Sequence, residues 1–262
     1  MDLGIDGNAA FLSAASAGLG LASAEAFAEE GVDVAICGRT RERLEEAEQR
    51  LQQAGSGDVL AIQADNTDRE ATEAAIAETV ETFGRLDHLV TSAGGPPMLS
   101  LMETTDEDWY DAFDQLLMSA VWAIKAAHPH LTADGGGTIV TITSGADEEV
   151  IEGHVFSNAV RRGVGGLMKT VSVEFAPDVR ANAVLPGPHE TARIRDFADS
   201  AVEQGASEST DAFLDAMGDD IPLSRIGDPR ELGDTVAWLS SERASFINGR
   251  ALLLDGGSVR SF

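Results

Sequence analysis

A single cysteine, Cys37, in 262 residues rules out a disulfide framework and a cysteine-bound metal centre, and no metal site is expected. Lysine is almost as scarce, with Lys125 and Lys169 the only two. Basic residues as a whole are few, 18 Lys and Arg against 45 Asp and Glu, and the formal net charge is −27. A field of that sign repels phosphate backbones and anionic headgroups and offers few cations to displace counterions. Nucleic acid and anionic membranes are thereby excluded as partners. No apolar stretch approaches the ~20 residues that span a bilayer. The opening MDLGIDGNAAFLSAAS carries no basic segment ahead of a hydrophobic run, so no secretory signal is read there and the expected location is cytoplasmic.

What the chain has in excess is acid. Abundant Asp and Glu with so little lysine reads as a halophilic composition, a surface suited to concentrated salt. At about 1 M salt the Debye length is ~3 Å, and the self-repulsion that would loosen such a fold is largely screened. The remaining composition, 43% hydrophobic and 24% charged, is that of a globular chain able to bury a substantial core. Short apolar runs at 9–14, 32–37, 59–64, 86–91, 138–143, 179–185 and 251–254 alternate with helix-period segments, the form of repeated βαβ units. In one such segment Leu44, Ala47 and Leu51 recur on one face while Glu42, Glu45, Glu46 and Glu48 face water. Asp106, Glu107 and Asp108 crowd acid into a helix start, and that helix is expected to run on through Trp109 and Phe113 to Ile124. No repeat or Pro/Gly/Ser linker divides the chain, so one doubly wound α/β domain is expected over 1–262. The stretch 194–220, with many acids and small residues, reads as a mobile insertion with weak helical patterning.

Ser13-Ala14-Ala15-Ser16-Ala17-Gly18-Leu19-Gly20 follows the first strand and opens a helix, where backbone N–H groups and a helix N-terminus can face a pyrophosphate. Further landmarks follow in order: Cys37-Gly38-Arg39, Asp65-Asn66-Thr67, Ser92-Ala93-Gly94-Gly95-Pro96-Pro97, Ser144, the run from Asn182 to Thr191 around Pro186-Gly187, and Asp255-Gly256-Gly257. In this order and spacing the chain resembles the classical short-chain dehydrogenases/reductases, in particular 3-oxoacyl-carrier-protein-reductase-like members, over almost its full length. The resemblance implies a Rossmann-type doubly wound parallel sheet. It also implies a cofactor site built from Ser13, Ala14, Ser16, Gly18, Leu19 and Gly20, with Asp65 at the adenine and Ser92, Ala93 and Gly94 beside the adenosine ribose, and with Asn66, Pro186, Gly187 and Thr191 also binding the cofactor. NAD-preferring members carry an acid where this chain has Gly38. Arg39 follows it, with Arg41 and Arg43 nearby, so the implied cofactor is NADP rather than NAD.

The catalytic positions depart from the family pattern of Ser, Tyr, Lys and Asn. Ser144 fits the Ser that holds the substrate carbonyl. Thirteen residues on, the Tyr position is Ser157, and four further the Lys position is Arg161, which would also serve the nicotinamide ribose. The relay Asn falls at Leu116. The run 163–174 then fits the family helix without a gap, so the Ser-x-x-x-Arg arrangement is not a misalignment. A serine hydroxyl is a far weaker acid than a phenol near pKa 10, and a guanidinium cannot join a proton relay. Ala14 replaces the first loop glycine, at a cost on the order of 1 to 2 kcal/mol if its φ is positive.

Three readings follow. In the first the chain is an NADP-dependent oxidoreductase acting on a small carbonyl or alcohol, anionic or neutral. Ser144 would orient the carbonyl, Arg161 and Arg193 would hold an anion, and the proton would come from His154, His189, Glu190 or water. In the second it binds NADP without turnover, as a sensor or structural subunit. In the third the scaffold runs a lyase-type reaction. The resemblance further implies a substrate lid within 188–220 and a homo-tetramer or homo-dimer built through the helices of 109–124 and 158–175.

Overall fold

A computed structural model describes residues 2–133 and 135–260. Among the described residues seven strands form one parallel sheet: β1 (Ala9–Leu12), β2 (Asp33–Gly38), β3 (Val59–Gln63), β4 (His88–Thr91), β5 (Gly137–Ile142), β6 (Val179–Pro186) and β7 (Ala251–Leu254). Their order is β3-β2-β1-β4-β5-β6-β7, so the winding reverses between β1 and β4. β1 and β4 are buried along their whole length. Helices cover both faces, which is why the strands read as continuous apolar runs rather than alternating ones. The Rossmann-type doubly wound sheet and single domain expected from the sequence are what is found.

The helices are α1 (Gly18–Glu29), α2 (Arg41–Ala54), α3 (Arg69–Phe83), α4 (Asp106–Phe113), α5 (Ser119–Leu131), α6 (Arg162–Glu174), α7 (Ala192–Glu203), α8 (Thr210–Asp219) and α9 (Pro229–Ser240). One core layer joins the sheet to α1, α2 and α9 through Leu21, Phe27, Leu44, Leu51, Leu232 and Val236. The other joins it to α3, α5 and α6 through Ile76, Ile124, Leu131, Val164 and Met168. Local chemistry sets the helix ends. Asp68 accepts from Ala71 N to start α3, and Gly84 ends it in the left-handed region. Thr105 with Asp108, and Asp228 with Glu231, close capping boxes at α4 and α9. At the opposite end of the sheet from the loop after β1, buried His88 ties β4 to Thr138 (Nδ1, 2.8 Å) and to Asn8 (Nε2, 2.9 Å), and burial pushes its pKa down to about 4.

Three local expectations are corrected. The helix through Trp109 to Ile124 is not continuous: a π turn at Asp114–Met118 separates α4 from α5. A second π turn, Ser157–Arg161, precedes α6. The stretch 194–220, whose helical patterning reads as weak, is well-formed helix over much of its length: it carries most of α7 and all of α8, packed on each other with Phe197 and Phe213 in an edge-on contact at 5.7 Å. Ile194, Phe197, Ala198 and Ala201 stand at i, i+3, i+4 and i+7, a narrow stripe that the surrounding acids mask.

Candidate functional site

The loop after β1 leaves the sheet at Ser13. The Ser13 hydroxyl donates to Ser92 O (3.1 Å) and accepts from Ser92 N (3.0 Å), joining it to the loop after β4. Asn66 donates to the same carbonyl (3.2 Å). The chain turns at Ala14, with φ 50°, and at Gly18, with φ 59°. A Cβ at Gly20 would stand 2.8 Å from Ala14 O, so only glycine lets α1 close on this turn. Leu19 packs against the core, and Thr191, at the start of α7, faces Gly18. Pro186 ends β6, and Gly187 N donates to Leu254 O (3.0 Å).

These loops border a cleft of about 510 Å³ at the winding reversal, where open α/β sheets bind ligands. Ala14, Ser16, Gly38, Arg39, Asp65, Asn66 and Gly94 line it, and so does Arg43. Arg41 does not: its guanidinium pairs with Glu45 on α2 (3.1 Å). Asp65 turns one carboxylate oxygen to the Thr67 N–H and hydroxyl, fixing the loop after β3. Gly38 lies so close to Ser16 that a Cβ would be 2.7 Å from its hydroxyl. No acid can stand there without moving Ser16.

Ser144 is not among the residues lining that cleft; its Oγ accepts from Ala146 N (3.2 Å), which leaves its own hydrogen free to donate. Ser157 and Arg161 are both buried on the second π turn. Arg161 donates from Nη1 to Thr143 O (3.4 Å) and from Nη2 to Gly94 O (3.2 Å), while its buried Nε has no partner. Gln115 also donates to Gly94 O (3.0 Å), so that carbonyl joins the first π turn to the second. Burial lowers the Arg161 pKa to about 10, against the pull of Asp147, and Arg193 lowers it further. Arg193, at the start of α7, lies over Gly95, where a Cβ would overlap its guanidinium. Leu116 is buried with Ala112 and Phe156, and Ala93, Trp109 and Val160 pack against them; the relay position is therefore apolar. The only tyrosine, Tyr110, is an exposed residue of α4.

Two of the side chains named as proton sources are committed elsewhere. His189 is buried against Gly227 with Nδ1 at Gly187 O (2.9 Å), and Glu190 pairs with Arg195. The sequence reading missed Asp147. Both its carboxylate oxygens are buried without a hydrogen-bond partner, and the nearby Thr143 hydroxyl donates to Val184 O (3.4 Å). Desolvation raises its pKa to about 6, opposed by Thr143 and Arg161. No periodicity signals such a residue; its place three after Ser144 was the one available hint.

The family model described as enoyl-(acyl carrier protein) reductase matches residues 13–259. The 3-oxoacyl-[acyl-carrier-protein] reductase FabG of Staphylococcus aureus is 31% identical over 250 residues, 95% of this chain and 96% of that protein. L-sorbose reductase from Gluconobacter frateurii, solved with NADPH and L-sorbose, superposes with a TM-score of 0.96 at 30% identity over 100% of both chains. A short-chain oxidoreductase of Pseudomonas aeruginosa PAO1, described as containing an atypical catalytic center, superposes at 0.92 with 28% identity, again over 100% of both.

Proposed function

The chain belongs to the short-chain dehydrogenase/reductase family and is an oxidoreductase of that kind, and on this premise we propose that it moves a hydride between NADP and a small carbonyl or alcohol bearing an anionic group. The observation that carries the reading is the approach of two guanidiniums, Arg161 and Arg193, to the Gly94–Gly95 turn. Among the described residues Arg193 has no ion pair, in a chain where acids outnumber bases 45 to 18. An anionic substrate relieves that mutual repulsion.

The residues present fit the cofactor. The β1 loop and α1 offer backbone N–H groups to a diphosphate, Gly38 places no carboxylate against a 2′-phosphate, and Arg39 and Arg43 line the same end of the cleft. Bound NADP supplies the hydride chemistry. The Ser144 hydroxyl donates to the substrate oxygen, and Arg161 offsets the negative charge that grows there; a preorganised donor of this kind is typically worth about 3 kcal/mol. Ser157 is too weak an acid to replace a tyrosine. The proton comes instead from water, for which a cavity of about 10 Å³ beside Arg161, Thr143 and Ser119 has room for one molecule. The segment 188–220 closes over the substrate, and the enzyme works in the cytoplasm as a homo-dimer or homo-tetramer.

The test is NADPH oxidation in molar KCl with 2-oxo acids, sugar acids and their neutral counterparts. Turnover of acids in preference to neutral analogues is expected. Arg193→Ala should raise KM for the acid about tenfold, the loss of ~1.4 kcal/mol of charge pairing, and leave neutral substrates unchanged. NADPH binding without oxidation of any substrate would return the chain to the sensor reading.

A further inference from the structure

Asp147 and Arg161 are opposite charges held close in a buried region, yet no ion pair joins them. Arg161 spends its Nη groups on Thr143 O and Gly94 O, and its Nε and both Asp147 oxygens are left without partners. Buried polar groups without partners are costly and call for an explanation. Each feels the other: Asp147 holds up the pKa of Arg161, and Arg161 holds down that of Asp147.

We propose that Asp147 is a positioning residue acting through Arg161, a counter-ion that as a carboxylate offsets the guanidinium's charge and, once protonated, leaves that charge whole for an anion bound against Gly94. The proposal rests on the reading that Arg161 faces a bound anionic ligand. Other groups bear on the pair from every side. Glu148 neighbours Asp147 on its own turn, and Arg162 and Lys169 of α6 and Arg250 before β7 line the same 280 Å³ cavity. Arg193 faces Arg161 from α7. Arg162 donates to Glu148 O (3.2 Å) and Lys169 to Gly249 O (3.4 Å), so neither makes a hydrogen bond to the Asp147 carboxylate. The direction follows from linkage. An anion binding near Arg161 makes the Asp147 carboxylate harder to keep charged, so binding takes up a proton and is favoured as pH falls through about 6.

Oxamate, an unreactive analogue of a 2-oxo acid, is the probe, and its affinity for the NADPH-loaded protein is read by the change in nucleotide fluorescence in molar KCl at pH 5.5 and pH 8. The ligand's own titration cancels between variants. Asp147→Asn is expected to bind about tenfold more tightly than the native protein at pH 8, the effect of a one-unit pKa shift, and equally at pH 5.5. In an Arg161→Gln background the Asp147→Asn change should alter affinity by less than twofold at either pH. A ratio that is the same at both pH values, or that persists without Arg161, overturns the proposal. A second arm needs no ligand: the infrared band of the Asp147 carboxyl, assigned against Asp147→Asn, should titrate at higher pH in Arg161→Gln than in the native protein. An unmoved titration overturns the coupling. Failure of NADPH oxidation with these results intact would instead remove the reduction proposed above.

Discussion

Ala14 occupies φ 50°, a region where a Cβ crowds the following carbonyl. A glycine at this position would remove that strain at the cost of a looser unfolded chain. Ala14→Gly is expected to stabilise the fold by about 1 kcal/mol, measured by denaturant unfolding in molar KCl. Unchanged or reduced stability would show that the turn accommodates its Cβ without strain. The substitution itself was plain in the sequence, but its cost was not, because φ is set by how Ser13 is tied to Ser92 across 79 residues of chain. The same division runs through the site. Ser144, Ser157 and Arg161 were found by counting along the chain, since the family spacing is linear. Asp147 was not found, because a carboxyl stripped of partners is a product of packing, and the cluster Arg39, Arg41 and Arg43 did not show in the sequence that Arg43 lines the cleft while Arg41 pairs with Glu45.

The positions that match the family's catalytic pattern on the helices fall where helix periodicity breaks. Leu116 lies on the π turn Asp114–Met118, and Ser157 and Arg161 bound the π turn Ser157–Arg161. Such turns widen a helix by one residue and often mark functional sites. A hydrophobic pattern read at 3.6 residues per turn passes over them, so the helices were placed and their breaks were not. The seven strands were legible to within a residue or two because both faces of a parallel sheet are covered. The α7 and α8 pair was obscured because its contact surface is small, with Ala198 and Leu214 buried and Phe197 half exposed. That small surface suits a segment that opens and closes. Phe197→Ala, which removes the edge-on contact with Phe213, is expected to raise the substrate KM several-fold and to leave NADPH affinity within twofold. Steady-state kinetics and nucleotide binding decide it, and an equal loss in both would mean that α7 and α8 hold the cofactor rather than cover the substrate.

Across the whole molecule most of the excess acid lies on the surface, and the cleft itself is mixed, lined by Arg39 and Arg43 together with Asp65, Asp111 and Asp114. Ion pairs such as Arg69–Glu73 and Arg225–Glu231 are exposed to solvent and add little to stability. They leave the net −27 nearly untouched as a source of self-repulsion. A polyanionic nucleotide must approach against that field to a cleft whose cationic lining is Arg39 and Arg43. Salt acts on the two contributions unequally. Repulsion from charges spread over the surface is screened once the Debye length falls from about 10 Å at 0.1 M to ~3 Å at 1 M, while contacts at hydrogen-bond distance are screened much less. Added KCl should therefore raise Tm, and NADPH affinity should fall far less than at an ordinary basic nucleotide site, or rise as the fold tightens. Titrating NADPH from 0.1 M to 3 M KCl, with circular dichroism to follow the fold, checks both. A steep monotonic loss of affinity with the fold intact throughout would show that the acidic surface is not an adaptation to salt and that the cleft binds by long-range attraction after all.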